Sequence, residues 1–519
     1  MNRAEMYRRL HAHAGLWDII VVGGGATGAG VAIDAASRGY DTLLLERSDF
    51  GKGTSSRSTK LIHGGVRYLE QGNVSLVMEA LRERGLLLQN APHLVHNLAF
   101  VVPNYDWWEA PFYGVGLKLY NLLAGKYGFG ASQILSREET LERLPNLNTE
   151  GLRGGVVYFD GQFDDSRLLI NLVATASEQG AVLLNYAQVT GLSRDADGFV
   201  GGVTVRDMEN GEEFAAEAKI VINATGPFSD ELRRKADASV SPMVAPSQGI
   251  HLVLDRSFLI GDSAIMVPHT SDGRVMFAIP WHGHTLVGTT DTPVSDIAAE
   301  PIAQEQEIDF VLKTAGLYLA KKPGCSDIMS VFAGIRPLVR NGDSGNTAGL
   351  SRSHTIRVEN SGMITVCGGK WTTYRNMAED CVNHAATLAH LPERECMTGH
   401  LNIHGFLPNA ERFGTLAAYG SDAAEVQQLN LGEVLHPVLP YTVAEVIWAV
   451  REEMARTVED VLARRTRALF LNARAAIEMS PRVAALMARE LGRDSKWEAD
   501  QVSAFRGVAG GFMAGDREN

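Results

Sequence analysis

Apolar residues follow two rhythms along this chain, and the changes of rhythm mark its parts. "WDIIVV" (17–22) and "DTLLLE" (41–46) are short apolar runs, the first ending in three glycines. Such runs predict strands buried on both faces, as in a parallel sheet. Between them the small-residue stretch Ala26 to Arg38 predicts a helix that stops at Gly39. This is a βαβ opening. Val74, Val77, Met78 and Leu81 fall at i, i+3, i+4 and i+7, which predicts a helix through "VSLVMEALRERGLLLQ". "DDSRLLINLVATASEQGAVLLNYAQV" reads as helix, Gly180, then strand, and "KIVINATGPFS" as another buried strand ending at glycine. "HLVLD", "RVMFAIP" and "TLVGTTD" predict strands of a second, β-rich region. "MITVCGGKWTTYRNMAEDCVNHAATLAHL" returns to strand, glycine pair and helix, and from about residue 400 the chain becomes helical and charged.

The two kinds of segment are interleaved, so the expected fold is α/β and discontinuous. Residues 17–95, 151–240 and 350–395 are expected to form a Rossmann-type dinucleotide-binding domain. Residues 96–150 and 241–349 would form an inserted antiparallel β substrate domain, and 400–519 a C-terminal α-helical domain.

At 519 residues the chain is too long for one compact core. Its 45% apolar and 21% charged residues are those of an ordinary globular protein. A formal charge of −13 argues against nucleic acid as a partner. An anionic substrate would therefore need cations gathered locally. The four cysteines (Cys325, Cys367, Cys381, Cys396) have no CxxC or zinc spacing and read as buried thiols of a reducing compartment. "HAH" (11–13) and "WHGH" (281–284) lack accompanying ligands, so no metal is expected. The N-terminal stretch has no secretory character and no run nears 18 apolar residues, so membrane contact would be peripheral.

"GGGATG" places Gly23, Gly25 and Gly28 in GxGxxG spacing, with Thr27 among them, after a strand and before a helix. The first glycine makes the turn, the second admits a pyrophosphate, and the third lets helix and strand pack closely. Glu46 ends the next strand, where a carboxylate can hold a ribose hydroxyl. The motif does not separate NAD from FAD. FAD is favoured because "GTSSRSTKLIHGG" follows the second strand at once, where an extended flavin would lie. "NATG" (223–226) and "CGGKWTT" (367–373) are further glycine turns for the same long cofactor. Arg67, Arg336 and Lys370 recur in such turns among apolar neighbours. They are either three unrelated surface or salt-bridged residues or an anion site, since buried cations without an anion are costly.

"IIVVGGGATGAGVAIDAASRGYDTLLLE", "GTSSRSTKLIHGGVRYLE", "NATGPFSD", "GTTDTP", "FAGIRPL" and "GGKWTTYRNMAED" together resemble the FAD-dependent glycerol-3-phosphate dehydrogenases of the aerobic, membrane-associated type, over roughly residues 17 to 390. The resemblance implies a flavoprotein of the glucose- and amino-acid-oxidase-like fold that oxidises sn-glycerol 3-phosphate and is reoxidised by a membrane quinone. Related readings are an α-glycerophosphate oxidase using O2, an amino-acid or amine oxidase, and a flavin-binding redox sensor without catalysis. The implied catalytic residues are Arg67, Arg336, Lys370 and His63, with Tyr68 and His251 also at the substrate. The implied cofactor residues are Gly23, Gly25, Thr27, Gly28, Glu46, Arg47, Thr54, Ser55, Ser56, Lys60, Leu61, His63, Gly64, Gly65, Ala224, Thr225, Gly226, Gly369, Lys370, Thr372 and Thr373. Gly64-Gly65 would let backbone crowd the flavin ring. The family more often has Lys-Gly where this chain has Gln248-Gly249.

Asp164 to Arg167 is expected to cap a helix, and the helix at Arg464-Arg465 to present a solvated face. The aromatic segment 106–123, with Trp107, Trp108, Phe112 and Tyr113, is expected to serve domain packing or a membrane surface. The expected setting is cytoplasmic, with peripheral attachment to the inner membrane and a homodimer both compatible.

Overall fold

The computed structural model describes residues 1–65, 69, 73–106, 109–268, 270–271, 273–340, 354–429 and 432–515. Two sheets and a helical C-terminal part organise them. In the first sheet the strand order is His354–Val358, Ile364–Gly368, Glu213–Asn223, Trp17–Val22, Thr42–Leu45 and Val182–Leu184. Trp17–Val22 runs parallel to both its neighbours, in register from Ile19 opposite Thr42 and Ile220. Trp17–Val22, Thr42–Leu45 and Val182–Leu184 are buried at nearly every position, as expected of strands covered on both faces, whereas the first half of Glu213–Asn223 alternates with exposed residues. Helix Ala26–Ser37 packs against helices Asp165–Glu178 and Tyr374–Leu388. Asp164 caps helix Asp165–Glu178, accepting from the Arg167 N–H at 3.0 Å.

The second sheet is built on Val244–Asp255, paired antiparallel with His284–Gly288 and Ile328–Val339, and continues through Met276–Trp281, Ser263–Val267 and Val95–Asn104. It ends with Gly154–Phe163 and the short strand Leu61–Ile62. Two segments expected in the dinucleotide-binding part, 61–62 and 154–163, thus run in the other sheet. Leu61 is an interior residue of that sheet's core.

"YTVAEVIWAVREEMARTVEDVLARRTRALFL" does not form one helix. It breaks into Val443–Glu452, a π-turn Asp460–Arg465 and Ala468–Leu471, with left-handed Met454 and Arg467 at the joints. Leu469 and Phe470 share an apolar cluster with Phe100, Val253 and Phe332 of the second sheet. Arg464 and Arg465 are buried, not solvated. Arg465 donates to Asp49 Oδ2 at 2.7 Å and Arg464 to Asp460 Oδ1 at 2.8 Å. Burying such charges is tolerable only because carboxylates meet them. The C-terminal part is thus held to the second sheet by apolar contact and to the first by ion pairs.

Candidate active site

Four glycine-containing segments from distant parts of the sequence meet at the carboxyl ends of the parallel strands. Gly23 adopts a φ of +111°, and a Cβ there would stand 2.6 Å from the Ala224 carbonyl oxygen. A Cβ on Gly28 would stand 1.8 Å from the Gly23 carbonyl, so strand and helix can approach this closely only without one. Gly25 is different: its Cβ would meet only the Ser55 hydroxyl, at 3.1 Å, on the wall of the cleft. That hydroxyl accepts from the Ala26 N–H at 2.9 Å and so caps the helix from a residue far along the chain. This is the cradle a pyrophosphate requires: a helix N-terminus, a bare glycine and a hydroxyl.

Glu46 lines the same cleft. Its oxygens accept the Gly24 N–H at 2.7 Å and the Ser48 N–H at 2.8 Å, and burial pushes the carboxyl up against the pull of these bonds. Each oxygen keeps a second acceptor position, so the carboxylate both pins the glycine turn and suits a ribose hydroxyl. Arg47 stacks on Phe228, 3.9 Å from the ring centre. Thr27, Thr54, Ala224, Thr225, Gly226, Gly369 and Lys370 complete the expected residues on the wall. The residues present fit an extended dinucleotide.

The stretch 54–63 joins the two sheets. The Thr54 hydroxyl donates to the Ile335 carbonyl at 2.6 Å, and the Trp371 indole donates to the Ser55 carbonyl at 2.9 Å. The Thr372 hydroxyl donates to the His63 carbonyl at 3.3 Å, and Thr373 precedes the helix that follows. "GTSSRSTKLIHGG", "AGIRPL" and "GGKWTT" are therefore neighbours in space.

Arg336 stands one residue before Pro337, which lines the cofactor cleft. Its guanidinium donates to the Thr290 carbonyl at 2.9 Å and the Thr289 hydroxyl at 3.1 Å, and lies 3.4 Å from Asp291. It crosses the face of Gly249, where a Cβ would come within 2.3 Å of a guanidinium nitrogen. The glycine of the Gln248-Gly249 pair thus has a steric reason. His251, on the same strand, is buried, stacks on Phe332 and pairs through Nε2 with the Thr59 hydroxyl at 2.9 Å. Burial first, then the Lys60 and Arg336 cations, hold its imidazole well below the usual range, so it is neutral.

Several expected residues stand elsewhere. Lys60 does not reach the cleft: its ammonium is buried against Asp165, the Ser56 carbonyl and three aromatic rings. Ser56 is buried with it. At Gly64 a Cβ would strike Leu81 at 2.6 Å and the Tyr120 hydroxyl, both on packed helices, so helix packing by itself requires the glycine. Gly65 supplies a left-handed turn at φ +74°. Arg67 and Tyr68 lie outside the described residues. Among the residues on the cleft wall that a motif reading misses are Lys52, Val189 and Lys235. Lys52 alone had a local signal, as the cation of "GKGTSS". No group of three or more potential metal ligands occurs among the described residues.

Fold and cleft together define an FAD-dependent oxidoreductase, and residues 18–375 match the family described as FAD dependent oxidoreductase. Residues 363–498 match the C-terminal domain of alpha-glycerophosphate oxidase. The mitochondrial glycerol-3-phosphate dehydrogenase of Homo sapiens is 40% identical over 529 positions, covering 94% of this chain and 72% of that protein. The mitochondrial enzyme of Arabidopsis thaliana is 41% identical, covering 93% and 83%. The glycerol-3-phosphate dehydrogenase of Bacillus halodurans, solved in complex with FAD, superposes with a TM-score of 0.80 at 28% identity, over 100% of this chain and 99% of that one. The chain belongs to the FAD-dependent glycerol-3-phosphate dehydrogenase family.

Proposed function

We propose that this chain oxidises sn-glycerol 3-phosphate at C2 to dihydroxyacetone phosphate and passes the electrons to a membrane quinone. Bound FAD supplies the two-electron acceptor. The protein's part is to hold the phosphate, orient the C2–H bond and accept the hydroxyl proton. The observation that carries this reading is the placement of Arg336, a guanidinium fixed by the 289–291 turn beside the cofactor cleft. Lys370 lines that cleft from the opposite motif. Two cations suit a phosphate better than the single carboxylate of an amino acid.

Steady-state kinetics of Arg336→Met and Lys370→Met, with a quinone analogue as acceptor, test it. A lost charge-assisted hydrogen bond of about 1.5–3 kcal/mol corresponds to a drop of roughly 10- to 150-fold in kcat/KM. Glycerol, which lacks the phosphate, should be a poor substrate and insensitive to either change. Near-wild-type kinetics with glycerol 3-phosphate in both variants would contradict the assignment.

The quinone reading has a surface to go with it. Helix Glu109–Ala124 turns Tyr113, Leu117 and Tyr120 inward and leaves Phe112, Val115, Leu119 and Leu122 outward, with Val115 71% and Leu122 76% exposed. Tyr113 is thus a core residue and not a surface contact, and Trp107 and Trp108 lie outside the described residues. No described helix is long and apolar enough to cross a bilayer. Shallow insertion of this apolar face, on the cytoplasmic side of the inner membrane, would bring the enzyme to its acceptor.

A further inference from the structure

Arg336 is held by a turn that is itself held. We propose that Glu307, a carboxylate outside the cofactor cleft, positions the Arg336 guanidinium for substrate through Thr290. The inference rests on the reading that Arg336 binds the substrate.

The linkage is continuous in hydrogen bonds. Thr290 presents its carbonyl to Arg336 Nη1 at 2.9 Å. Its hydroxyl accepts from the Ile250 N–H at 3.1 Å and donates to Glu307 Oε1 at 2.9 Å. The Thr292 hydroxyl donates to the same oxygen at 2.7 Å. Glu307 Oε2 accepts from Gln248 Nε2 at 2.7 Å and from the Gln304 N–H at 3.0 Å. Four donors therefore meet one buried carboxylate from three places: two from the 290–292 turn, one from strand Val244–Asp255, and one from the start of helix Glu305–Tyr318. Asp291, between the two threonines, adds a second anchor, since it accepts from Ser247 of that strand and approaches Arg336.

A capping carboxylate needs only the Gln304 N–H, as in the capping box of this helix. Three further donors from the substrate-side turn and strand go beyond that need. Their effect is to fix where the Thr290 carbonyl points, and hence one of the guanidinium's acceptors. A guanidinium free to swing would present its fork to phosphate in several orientations, and geometric slack of that kind lowers productive binding. Gln248 also has a role here: its neutral amide donates to Glu307 without adding a further cation beside Arg336.

The test is a double-mutant cycle on the FAD-loaded enzyme. Thr290→Val removes the hydroxyl but keeps the shape and the carbonyl, and Glu307→Gln turns one acceptor oxygen into a donor. Each should raise KM for glycerol 3-phosphate about 5- to 10-fold, lower kcat less, and leave the FAD content unchanged. Thr290→Ser should restore the wild-type KM. Adding Thr290→Val to Arg336→Met should cost no more than Arg336→Met alone, because there is then nothing to position. Additive losses, or wild-type KM in both Thr290→Val and Glu307→Gln, would overturn the inference while leaving an impaired Arg336→Met to support the substrate reading. A silent Arg336→Met would overturn that reading, and the inference with it. Should Glu307→Gln fail to fold, the Thr290 pair and its cycle with Arg336 decide the matter.

Discussion

The Lys60 ammonium and the Asp165 carboxylate meet at 2.7 Å with both side chains wholly excluded from solvent. Trp281, Phe332 and Phe470 stand 5.1 to 5.2 Å from the nitrogen, and Ser58 gives Asp165 two more donors. These rings come from the second sheet and the C-terminal part, so the pair pins three segments together. Its value is structural. Lys60→Met would leave a buried carboxylate without its cation and should destabilise the fold by about 3–5 kcal/mol. Denaturant titration checks this, with FAD remaining in the folded fraction. Unchanged stability with lost FAD would return Lys60 to the cofactor.

Gly25→Val and Gly28→Val should fail differently. At Gly25 the added side chain points into the cleft beside Ser55, so a folded apo-protein is expected. At Gly28 it strikes backbone, so the strand–helix packing and solubility should be lost as well. Absorbance and circular dichroism of the two purified variants separate the cases.

Lys52 lines the cleft and pairs with Glu459 of the C-terminal part at 2.8 Å and with Glu300 at 3.3 Å. Glu300 also takes Arg57, and its neighbour Ala299 touches the cleft. Glu300→Gln should speed FAD release about 2- to 5-fold, as expected for a partly exposed pair worth about 0.2–1 kcal/mol, whereas Glu459→Gln also strips buried Arg464 of a partner and should lower stability as well. Recovery of flavin fluorescence on dilution measures the release.

His404 lies between Asp422 at 2.7 Å and Glu178 at 2.6 Å. Burial opposes its charge, but the two carboxylates outweigh that and push the imidazole up to about 9 from an ordinary 6.5. A folded-state value above the unfolded one means the stabilisation is full below about pH 6.5 and lost as pH rises through about 9. Melting temperature should therefore fall over that window, and His404→Gln should flatten the slope. An unchanged slope in the variant would mean the titration lies elsewhere.

Val115→Asp with Leu122→Asp should abolish flotation with liposomes while leaving turnover with a soluble acceptor intact. Retained flotation would move the membrane surface elsewhere.

What could be read from the sequence were features written locally. The strand–glycine–helix grammar around Gly23 to Gly28, the acid at Glu46 and the turns at 223–226 and 367–373 each carry their signal within a few residues, and the structure brings them to one cleft. Burial of charge was not legible. Arg464 and Arg465 read as a solvated face because Asp49, which neutralises them, lies more than 400 positions away. The cage around Lys60 draws on residues 281, 332 and 470, and no window of sequence contains it. The packing demand on Gly64 was hidden because Tyr120, which sets it, lies some 56 positions along the chain. Glu307 was hidden for the opposite reason: it looks like an ordinary first-turn acid.

We infer that the cations beside the cleft serve a phosphorylated alcohol. Anaerobic mixing of the FAD-loaded protein with glycerol 3-phosphate tests it most directly, with the visible flavin absorbance as readout. Rapid, stoichiometric bleaching is expected with glycerol 3-phosphate, little with equal glycerol, and a rate lowered at least tenfold in Arg336→Met. Equal bleaching by glycerol, or bleaching by an amino acid and not by glycerol 3-phosphate, would contradict it.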